Sequence, residues 1–443
     1  TTTTKHRQFL CFSDSRSEAA FFACYMEKSY QEFLRRRGIW HVIEECKKEG
    51  KTFLSVSSFV ERLSRYFNAN KTFAEWDQPE NQDIDLACKR NAWIAVLNEM
   101  YNARRSTSLA SMGLLSFEYD PNAEVCSDIA DEFGISDAES KDFLNLLVMD
   151  AVYAGAILPD FKLTDADREY IFFAAKQRYM KAIKTAEDSQ RSWVTGWAAR
   201  KRSNGNYYPN ARLARVCRVS GQDEDYSNEI LLSYWDNVFA KQRNEETTIS
   251  TKDFSIRLSG DSKLHFYRCK KCGKVTPYYC KGFCSSVKCD GSLEKYDPTI
   301  DLQNNHYANL YRDTRMSPLF IKEHTAQLAK DQQTIYQQGF VNGKINALSC
   351  STTFEMGVDV GSLETVYMRN VPPSPANYVQ RAGRAGRALH SAAFVMTYAK
   401  LSSHDFTFYN NPQKMISGLI QAPVFEIKNR KVINRHIYAV ALS

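Results

Sequence analysis

Strand–helix alternation at the two ends of this chain constrains its fold more than any other feature of the sequence. Residues 7–13 (RQFLCFS) form a short apolar run typical of a buried strand, and the helical spacing of apolar residues over 15–37 predicts a helix. The alternation resumes only at Leu319, where the strand LFIKE leads into a helix through Gln338. The remaining strands are predicted at 345–350, 364–369 and 392–398. This pattern implies one α/β domain with a parallel sheet, divided by a long insertion.

The insertion is predicted to be mainly helical. Residues 86–103 and 141–157 are long and apolar enough to bury one face in a helical layer, and Ser136 is placed to cap the second helix. The polar, turn-rich stretch 200–210 is expected to be an exposed loop. A chain of 443 residues exceeds one compact core, so we expect several domains. Their predicted bounds are 1–40 and 301–400 for the divided α/β domain, 41–255 for the helical insertion, 256–300 for a cysteine-rich insertion and 401–443 for a C-terminal extension.

Five of the twelve cysteines crowd into one short segment. Cys269 and Cys272 form a C-x2-C knuckle, and Cys284 and Cys289 are spaced C-x4-C. Four thiolates suit a tetrahedral Zn²⁺ ion with no open position, so the segment predicts a small zinc ribbon with a structural role. Cys280 is the fifth cysteine and could replace Cys284. Surface thiols without a metal are the alternative, which the density of cysteines disfavours.

Positive charge is concentrated in two windows that contain no acidic residue, although the formal net charge of the whole chain is only +7. The cations of the first window, 189–222, are Arg191, Arg200, Lys201, Arg202, Arg212, Arg215 and Arg218. Those of the second, 268–288, are Arg268, Lys270, Lys271, Lys274, Lys281 and Lys288. Such windows suggest contact with a polyanion, whereas a solvated surface explains a single charge run as well. The first window also contains four aromatic residues, Trp193, Trp197, Tyr207 and Tyr208. They would be either platforms on which bases stack or buried residues beside a solvated loop.

Three arginines recur at a spacing of three in the segment 380–387, QRAGRAGR. With a helix continuing through Arg384, this spacing places Arg381, Arg384 and Arg387 along one face, and the glycines let a partner approach closely. Converging guanidinium groups repel each other unless an anion compensates them, and a transferred γ-phosphoryl group is such an anion. A basic surface helix is the alternative. It leaves unexplained why Gln, Gly and Arg recur directly after a strand and a turn.

These motifs together resemble the second motor domain of superfamily 2 nucleic-acid helicases. QRAGRAGR is similar to motif VI, STTFEMGVDVG (351–361) to motif V and FSDSR (12–16) to motif IV, in the same order. With NVPPSPANYVQRAGRAGR and the cysteine ribbon, they resemble a bacterial branch that includes mitomycin-repair helicases and large helicases of anti-phage defence systems. The resemblance covers 7–37 and about 260–443, and it implies a RecA-like sheet. The helical insertion is matched only in position and character.

The resemblance also implies a role for each matching residue. The catalytic residues, two arginine fingers and a γ-phosphate or water sensor, would be Arg384, Arg387 and Gln380. The residues near the nucleotide would be Gly357, Asp359 and Arg381. The residues that contact strand phosphates would be Ser13, Ser15, Arg16, Ser351, Thr352 and Thr353. Thr353 could equally be a simple helix cap.

The sequence contains neither a G-x-x-x-x-G-K-[ST] loop nor a D-E-x-H or D-E-A-D box after a strand. In the family that the chain resembles, both elements lie on the first RecA-like domain. We therefore expect that domain to precede Thr1, and we expect this fragment alone to hydrolyse no ATP. The implied cofactor is ATP with Mg²⁺, held mainly by the first domain. The implied partners are DNA, that first domain and other proteins of a repair or defence system.

Two other functions fit parts of the pattern. A non-catalytic nucleic-acid-binding or assembly module of a defence complex would have no physical need for finger arginines. An RNA helicase keeps the same chemistry, because phosphate contacts carry no base information. The longest apolar stretch, 143–158, is interrupted by Asn145 and Asp150 and is too short to span a bilayer. Without a signal peptide, a cytoplasmic protein with reduced thiols and no membrane partner is expected.

Overall fold

The structure is a computed structural model that describes residues 8–73, 83–103, 105–120, 123–172, 177–239, 241–313, 318–351, 363–386, 393–420 and 429–442. Its strands are β1 (Phe9–Phe12), β2 (Phe53–Ser55), β3 (Leu115–Tyr119), β4 (Ile157–Leu158), β5 (Tyr179–Ile183), β6 (Val194–Ala198), β7 (Ile249–Ser250), β8 (Phe254–Leu258), β9 (Phe266–Cys269), β10 (Val275–Thr276), β11 (Leu293–Tyr296), β12 (Ile321–His324), β13 (Ala347–Cys350), β14 (Thr365–Met368) and β15 (Phe394–Thr397). Its α-helices are α1 (Arg16–Lys48), α2 (Val56–Ala69), α3 (Ile84–Tyr101), α4 (Ala123–Phe133), α5 (Asp137–Tyr153), α6 (Asp165–Phe172), α7 (Ala211–Ser220), α8 (Glu224–Phe239), α9 (Pro298–Asp301), α10 (His306–Asp313), α11 (Lys330–Val341), α12 (Pro375–Ala382), α13 (Ser403–Asn410), α14 (Gln413–Ile416) and α15 (Arg430–Ala441).

The chain divides into two compact units, one formed by Thr1–Tyr30 and Met316–Ser443 and the other by Gln31–Arg315. The first unit contains a five-stranded sheet in the order β12-β13-β1-β14-β15, in which all neighbouring strands are parallel. The short apolar run of β1 therefore becomes the central strand. The prediction of a parallel α/β sheet built from both ends of the chain is confirmed. The finer five-part division of the chain stays a prediction.

Helix α1 runs to Lys48, beyond the predicted end at residue 37. The extension has a packing reason, because Ile39, Trp40 and Ile43 continue the apolar pattern and are buried. Gly38 does not end the helix. A Cβ atom there would lie 2.3 Å from the ring of Phe67 on α2, so glycine permits close packing between these two helices.

The second unit is mainly helical, as predicted, but it also contains small sheets. Its helices bury one continuous apolar core, and an antiparallel sheet in the order β2-β8-β3 contributes to that core. The predicted helix over 141–157 is α5, which begins at Asp137 and ends at Tyr153, before β4. Its Ser136 cap is confirmed as part of a capping box with Glu139.

The cysteine-rich segment of the second unit folds as a three-stranded antiparallel sheet in the order β10-β9-β11. This arrangement is compatible with the predicted ribbon. Within the residues that the structure describes, no helix combines the length and the apolar character needed to cross a bilayer.

Candidate functional site

The carboxyl ends of three strands, two of which lead into sequence motifs described above, meet at one edge of the parallel sheet. β1, β13 and β14 are parallel neighbours, so their carboxyl ends lie side by side, which is where open α/β sheets bind ligands. The backbone N–H of Ser13 donates to the carbonyl of Cys350 at 3.0 Å, and that of Arg369 donates to Phe12 at 3.0 Å. Ser13 and Arg369 are thereby held beside the ends of the neighbouring strands.

Arg381 of α12 is anchored at this edge by an acid that follows β1. Its guanidinium Nη2 lies 2.6 Å from Oδ1 of Asp14, and the Arg381 side chain is fully buried. The amide of Asn370, just after β14, donates to the other carboxylate oxygen of Asp14. A buried guanidinium is costly unless a charge and hydrogen bonds compensate it, and Asp14 supplies both. Arg381 therefore joins α12 to the sheet.

Asp14 and Asn370 were absent from the predicted site. The available signal was positional: each follows a buried parallel strand at its carboxyl end, where ligand-binding and positioning residues concentrate. The pairing itself was not visible, because Asp14 and Arg381 are 367 positions apart in the sequence.

The prediction that the arginines share one helical face is wrong for Arg384, because α12 ends before it. The helix begins after the Ser374 cap with Pro375 in its first turn, and it ends at Ala382. The chain then turns, with the N–H of Arg384 donating to Arg381 at 3.2 Å.

The segment after α12 returns to the sheet at Gly386, whose N–H donates to the carbonyl of Leu363 at 2.8 Å. Gly386 has a φ of +77°, and a Cβ atom there would lie 2.7 Å from the Cβ of Ala393. Glycine is thus required both for the backbone conformation and for the close approach. Gly386 therefore shapes the turn that follows Arg384.

The other predicted site residues differ in how far they reach the surface. Gln380 and Arg16 are exposed, whereas Arg384 is only 8% exposed. The hydroxyl of Ser15 is hydrogen-bonded to that of Ser17 at 2.7 Å. The fully buried members are Ser13 and Ser351. The members that lie outside the described residues are Thr352, Thr353, Gly357, Asp359 and Arg387.

Ser13 differs from Ser351 in its hydrogen bonding. Its hydroxyl is buried and has no hydrogen-bond partner among the residues that the structure describes. An unsatisfied buried hydroxyl is costly, and such groups concentrate at functional sites.

An acid beyond the arginine motif supports the turn that leads into α12. Asp405 is buried and accepts hydrogen bonds from the N–H of Val371 at 3.1 Å, the N–H of Lys400 at 2.9 Å and the hydroxyl of Ser402 at 2.8 Å. Burial alone would raise the pKa of Asp405, but these donors lower it below its ordinary value. The Ser402-x-x-Asp405 spacing, a helix-capping pattern, was the signal in the sequence.

The structure brings together all four cysteines proposed as metal ligands. The sulfurs of Cys269, Cys272, Cys284 and Cys289 all lie within 4.8 Å of one another. The Sγ atoms of Cys269 and Cys289 are 3.7 Å apart, and those of Cys272 and Cys284 are 3.6 Å apart. Four soft sulfur donors at this separation suit a tetrahedral ion.

The ribbon backbone is shaped around these sulfurs. Burial alone would raise the pKa of Cys269, but the backbone N–H groups of Cys272 and Lys271 lower it to about 7, which favours the thiolate. Gly291 allows the close approach, since a Cβ atom there would lie 2.6 Å from the sulfur of Cys269. Cys280 lies outside the cluster, whereas Cys284 belongs to it. The alternative in which Cys280 replaces Cys284 therefore does not match the geometry.

Arg218 holds the loop between Cys284 and Cys289 in place. Its guanidinium donates to the carbonyls of Cys289 at 3.0 Å, Val287 at 2.7 Å and Cys284 at 3.3 Å. No local sequence pattern indicated this contact, because Arg218 lies on α7, far from the cysteines along the chain.

Two more arginines of the first basic window are buried and form contacts inside the second unit. Arg215 forms a buried ion pair with Asp150 at 2.6 Å, and Arg212 donates to the carbonyl of Trp197 at 2.8 Å. Trp197 is fully buried, and its indole N–H donates to Leu231 at 2.8 Å. Both predictions for the window, polyanion contact and solvated surface, are therefore wrong for Arg212 and Arg215. Trp197 is not available as a platform for bases.

Comparison with known proteins places the arginine motif in a family. The family model described as the helicase conserved C-terminal domain matches residues 299–389. The Druantia protein DruE of Escherichia coli is 31% identical over 208 residues, which are 42% of this chain and 11% of that protein. The Lhr helicase/probable uracil glycosylase of Mycolicibacterium smegmatis is 26% identical over 124 residues, 28% of this chain and 8% of that protein. The match thus spans about a tenth of the length of each relative.

Two solved structures also align with part of the chain. One is the DUF1998 helicase MrfA bound to DNA, with 23% identity and a TM-score of 0.25 over 26% of this chain and 16% of that one. The other is the Mycobacterium smegmatis helicase Lhr bound to ssDNA and AMP-PNP, with 26% identity and a TM-score of 0.26 over 28% and 16%. Each alignment covers about a quarter of this chain. The matched family, the relatives and the five-stranded parallel sheet identify in this chain the RecA-like C-terminal domain of superfamily 2 helicases.

Proposed function

We propose that this chain supplies the second motor domain of an ATP-dependent DNA helicase or translocase. The observation that carries the proposal is the ion pair between Asp14 and Arg381 at 2.6 Å, which joins motif IV to motif VI at the carboxyl edge of the sheet. The resemblance of its motifs to repair and defence helicases favours a role in DNA repair or anti-phage defence.

In this proposal, Arg384 and Arg387 are the arginine fingers, and Gln380 senses the γ-phosphate or the attacking water. ATP with Mg²⁺, bound mainly by a first motor domain, supplies the free energy of the cycle. Gly357 and Asp359 contribute at the ribose. The residues of this chain stabilise the charge that develops on the γ-phosphoryl oxygens, and they act only when the two motor domains close. Anchoring Arg381 in the sheet gives the finger segment a rigid base.

In this proposal, the same edge of the β-sheet also contacts the phosphates of the nucleic-acid strand. Arg16 is the first residue of α1 and is exposed, so its guanidinium and the helix N-terminus both favour a phosphate. Ser15 lies beside it, and Ser13 and Ser351 are buried behind this surface. Thr352 and Thr353 would extend the contact. Opening and closing of the two motor domains around ATP would then shift these contacts along the strand.

The cysteine cluster is proposed to hold one structural Zn²⁺ ion. Cys269, Cys284 and Cys289 are nearly buried and Cys272 is exposed, so the four thiolates would complete the coordination sphere and leave no position for a substrate. The ion would link the two loops of the ribbon.

The strand contact can be tested with Arg16→Gln in the full chain. We expect the Kd for a labelled oligothymidylate to rise about three- to tenfold, because one phosphate contact is lost, and the slope of log K against log salt to fall by about 0.7. Fluorescence anisotropy over a salt series measures both quantities.

Lys28→Gln is the matched control, since Lys28 is exposed on the same helix and loses the same charge. An unchanged Kd and an unchanged salt slope for Arg16→Gln would show that Arg16 does not contact a phosphate of the nucleic-acid strand. Oligouridylate and oligothymidylate measured side by side separate RNA from DNA preference.

A further inference from the structure

A groove of about 720 Å³ in the second unit lies outside the motor motifs. The chain between β6 and α7 forms one wall, and the ribbon loop that follows Cys284 forms the other. The first turn of α7, where Ala211 and Ala214 expose only small side chains, contributes to its lining. The groove is therefore open along α7 and bounded by two separate segments.

The wall before α7 is exposed, as its polar sequence predicts, and its backbone closes into a hairpin. Lys201 and Tyr207 pair in an antiparallel bridge, and the N–H of Arg202 donates to Asn206 at 2.7 Å. Gly205 closes the turn with a φ of +87°. The backbone of this hairpin is therefore closed by its own hydrogen bonds.

The opposite wall is fixed by the cysteine cluster. Cys284 and Cys289 flank the loop that carries Ser286, Val287 and Lys288, and Arg218 binds its carbonyls. Ser285 also lines the groove. Its side chain is 3% exposed, and its hydroxyl has no hydrogen-bond partner among the described residues. The backbone of this wall is therefore held between two ligand cysteines and the Arg218 guanidinium.

Positive charge prevails along the groove. Its cations include Arg202 on the hairpin and Lys274 and Lys288 on the ribbon, while Glu224 is the one carboxylate among the described residues that line it. Arg202 and Lys288 are exposed and have no acidic partner among the described residues. The N-terminus of α7 adds partial positive charge. A phosphate backbone matches this distribution.

Planar groups lie beside these cations. The guanidinium carbons of Arg200 and Arg202 each lie 4.4 Å from the ring centroid of Tyr208, whose side chain is 42% exposed. Arginine planes and tyrosine rings are the surfaces on which unpaired bases stack. In a duplex the base faces are already stacked, so this feature favours a single strand over a duplex or an acidic peptide.

We propose that this groove binds single-stranded nucleic acid, with phosphates along Arg202, Lys274 and Lys288 and bases against the Tyr208 stack. It is a second strand contact, on residues separate from the motor motifs. It extends the proposed function and can fail or stand independently of it.

The test is strand binding by the full chain carrying Arg202→Gln and Lys288→Gln together. We expect the Kd for a labelled oligothymidylate to rise about tenfold, and the salt slope to fall by about 1.4, since two phosphate contacts are lost at about 0.7 each. Arg65→Gln with Lys89→Gln is the matched control, because it removes one exposed arginine and one exposed lysine from the same unit. Both double variants should keep the melting temperature of the wild type, because the four replaced side chains are exposed.

A second variant tests the stacking half of the proposal. Tyr208→Ala should weaken oligothymidylate and oligouridylate binding about tenfold, whereas Tyr208→Phe, which keeps the ring, should bind like the wild type. A larger loss for one of the two oligonucleotides would show which nucleic acid the groove prefers.

A wild-type Kd and a wild-type salt slope in the Arg202→Gln/Lys288→Gln variant would contradict the proposal that the groove binds single-stranded nucleic acid. So would a loss confined to duplex or to polyglutamate binding, which would assign the surface to another partner. Weaker binding by the groove variant together with unchanged binding by Arg16→Gln would support strand binding in the groove and would count against the strand contacts proposed for the motor domain. The reverse result would support the strand contacts of the motor domain and contradict strand binding in the groove.

Discussion

Arg387→Ala is expected to lower the ATP turnover of a protein that joins this chain to a first motor domain by about 10³-fold or more, while ATP affinity stays near the wild-type value. The reason is that an arginine finger acts on charge that develops in the transition state and contributes little to the ground state. Gly386, immediately before it, is held to Leu363 at the sheet by a 2.8 Å hydrogen bond, which gives the segment a fixed starting point.

Steady-state kcat at saturating nucleic acid, together with a titration of a non-hydrolysable ATP analogue, measures the two effects separately. Arg430→Ala is the control, since Arg430 is an exposed arginine of the same unit. Near-normal turnover in Arg387→Ala would remove Arg387 from the finger role. Arg384→Ala is expected to lose turnover as well, but it should also lower the melting temperature because Arg384 is 8% exposed.

The second large effect is expected from Cys272→Ser. Cys272 is the exposed member of the cluster, so its replacement removes little packing, and any destabilisation reports the loss of a ligand. If the four thiolates hold Zn²⁺, the variant should lose bound zinc and its free energy of unfolding should fall by about 4 kcal/mol or more.

Metal content per chain and thermal unfolding check this expectation. Cys217→Ser is the matched control, because Cys217 is a partly exposed thiol of α7 outside the cluster. Full zinc content and an unchanged melting temperature in Cys272→Ser would contradict the proposed metal site. Groove binding should weaken in the same variant, since the loop between Cys284 and Cys289 forms one of its walls.

Local pattern was enough to predict the parallel sheet but not the order of its strands. Four-residue apolar runs such as β1 and β13 identify buried strands, because both faces of a parallel sheet are covered. Which strands become neighbours depends on packing between distant segments. The central position of β1, between β13 and β14, was therefore visible only in the structure.

Arginine was the residue type whose role the sequence indicated least well. Spacing alone placed Arg381 and Arg384 on one helix, whereas the helix ends at Ala382 and Arg381 turns into the sheet. Charge windows suggested that Arg215 faces a partner or solvent, yet Asp150 pairs with it in the core. In each case the deciding residue is remote in sequence, so a local window contains no trace of it.

The cysteines show the opposite case. Spacing alone predicted the four that converge, because two close pairs on tight loops can meet only if the loops face each other. It left Cys280 open as an alternative, since spacing does not reveal that Cys280 is buried away from the other sulfurs.

In the proposed function, this chain acts on ATP that a different domain holds. Nucleic-acid-stimulated ATP hydrolysis, measured for the purified chain alone and for the chain joined to a first motor domain with a phosphate-binding loop, tests it most directly. We expect background hydrolysis from the chain alone and stimulated turnover from the joined protein. Stimulated turnover by the chain alone would show that it binds and hydrolyses ATP without a second domain, contrary to the proposed function.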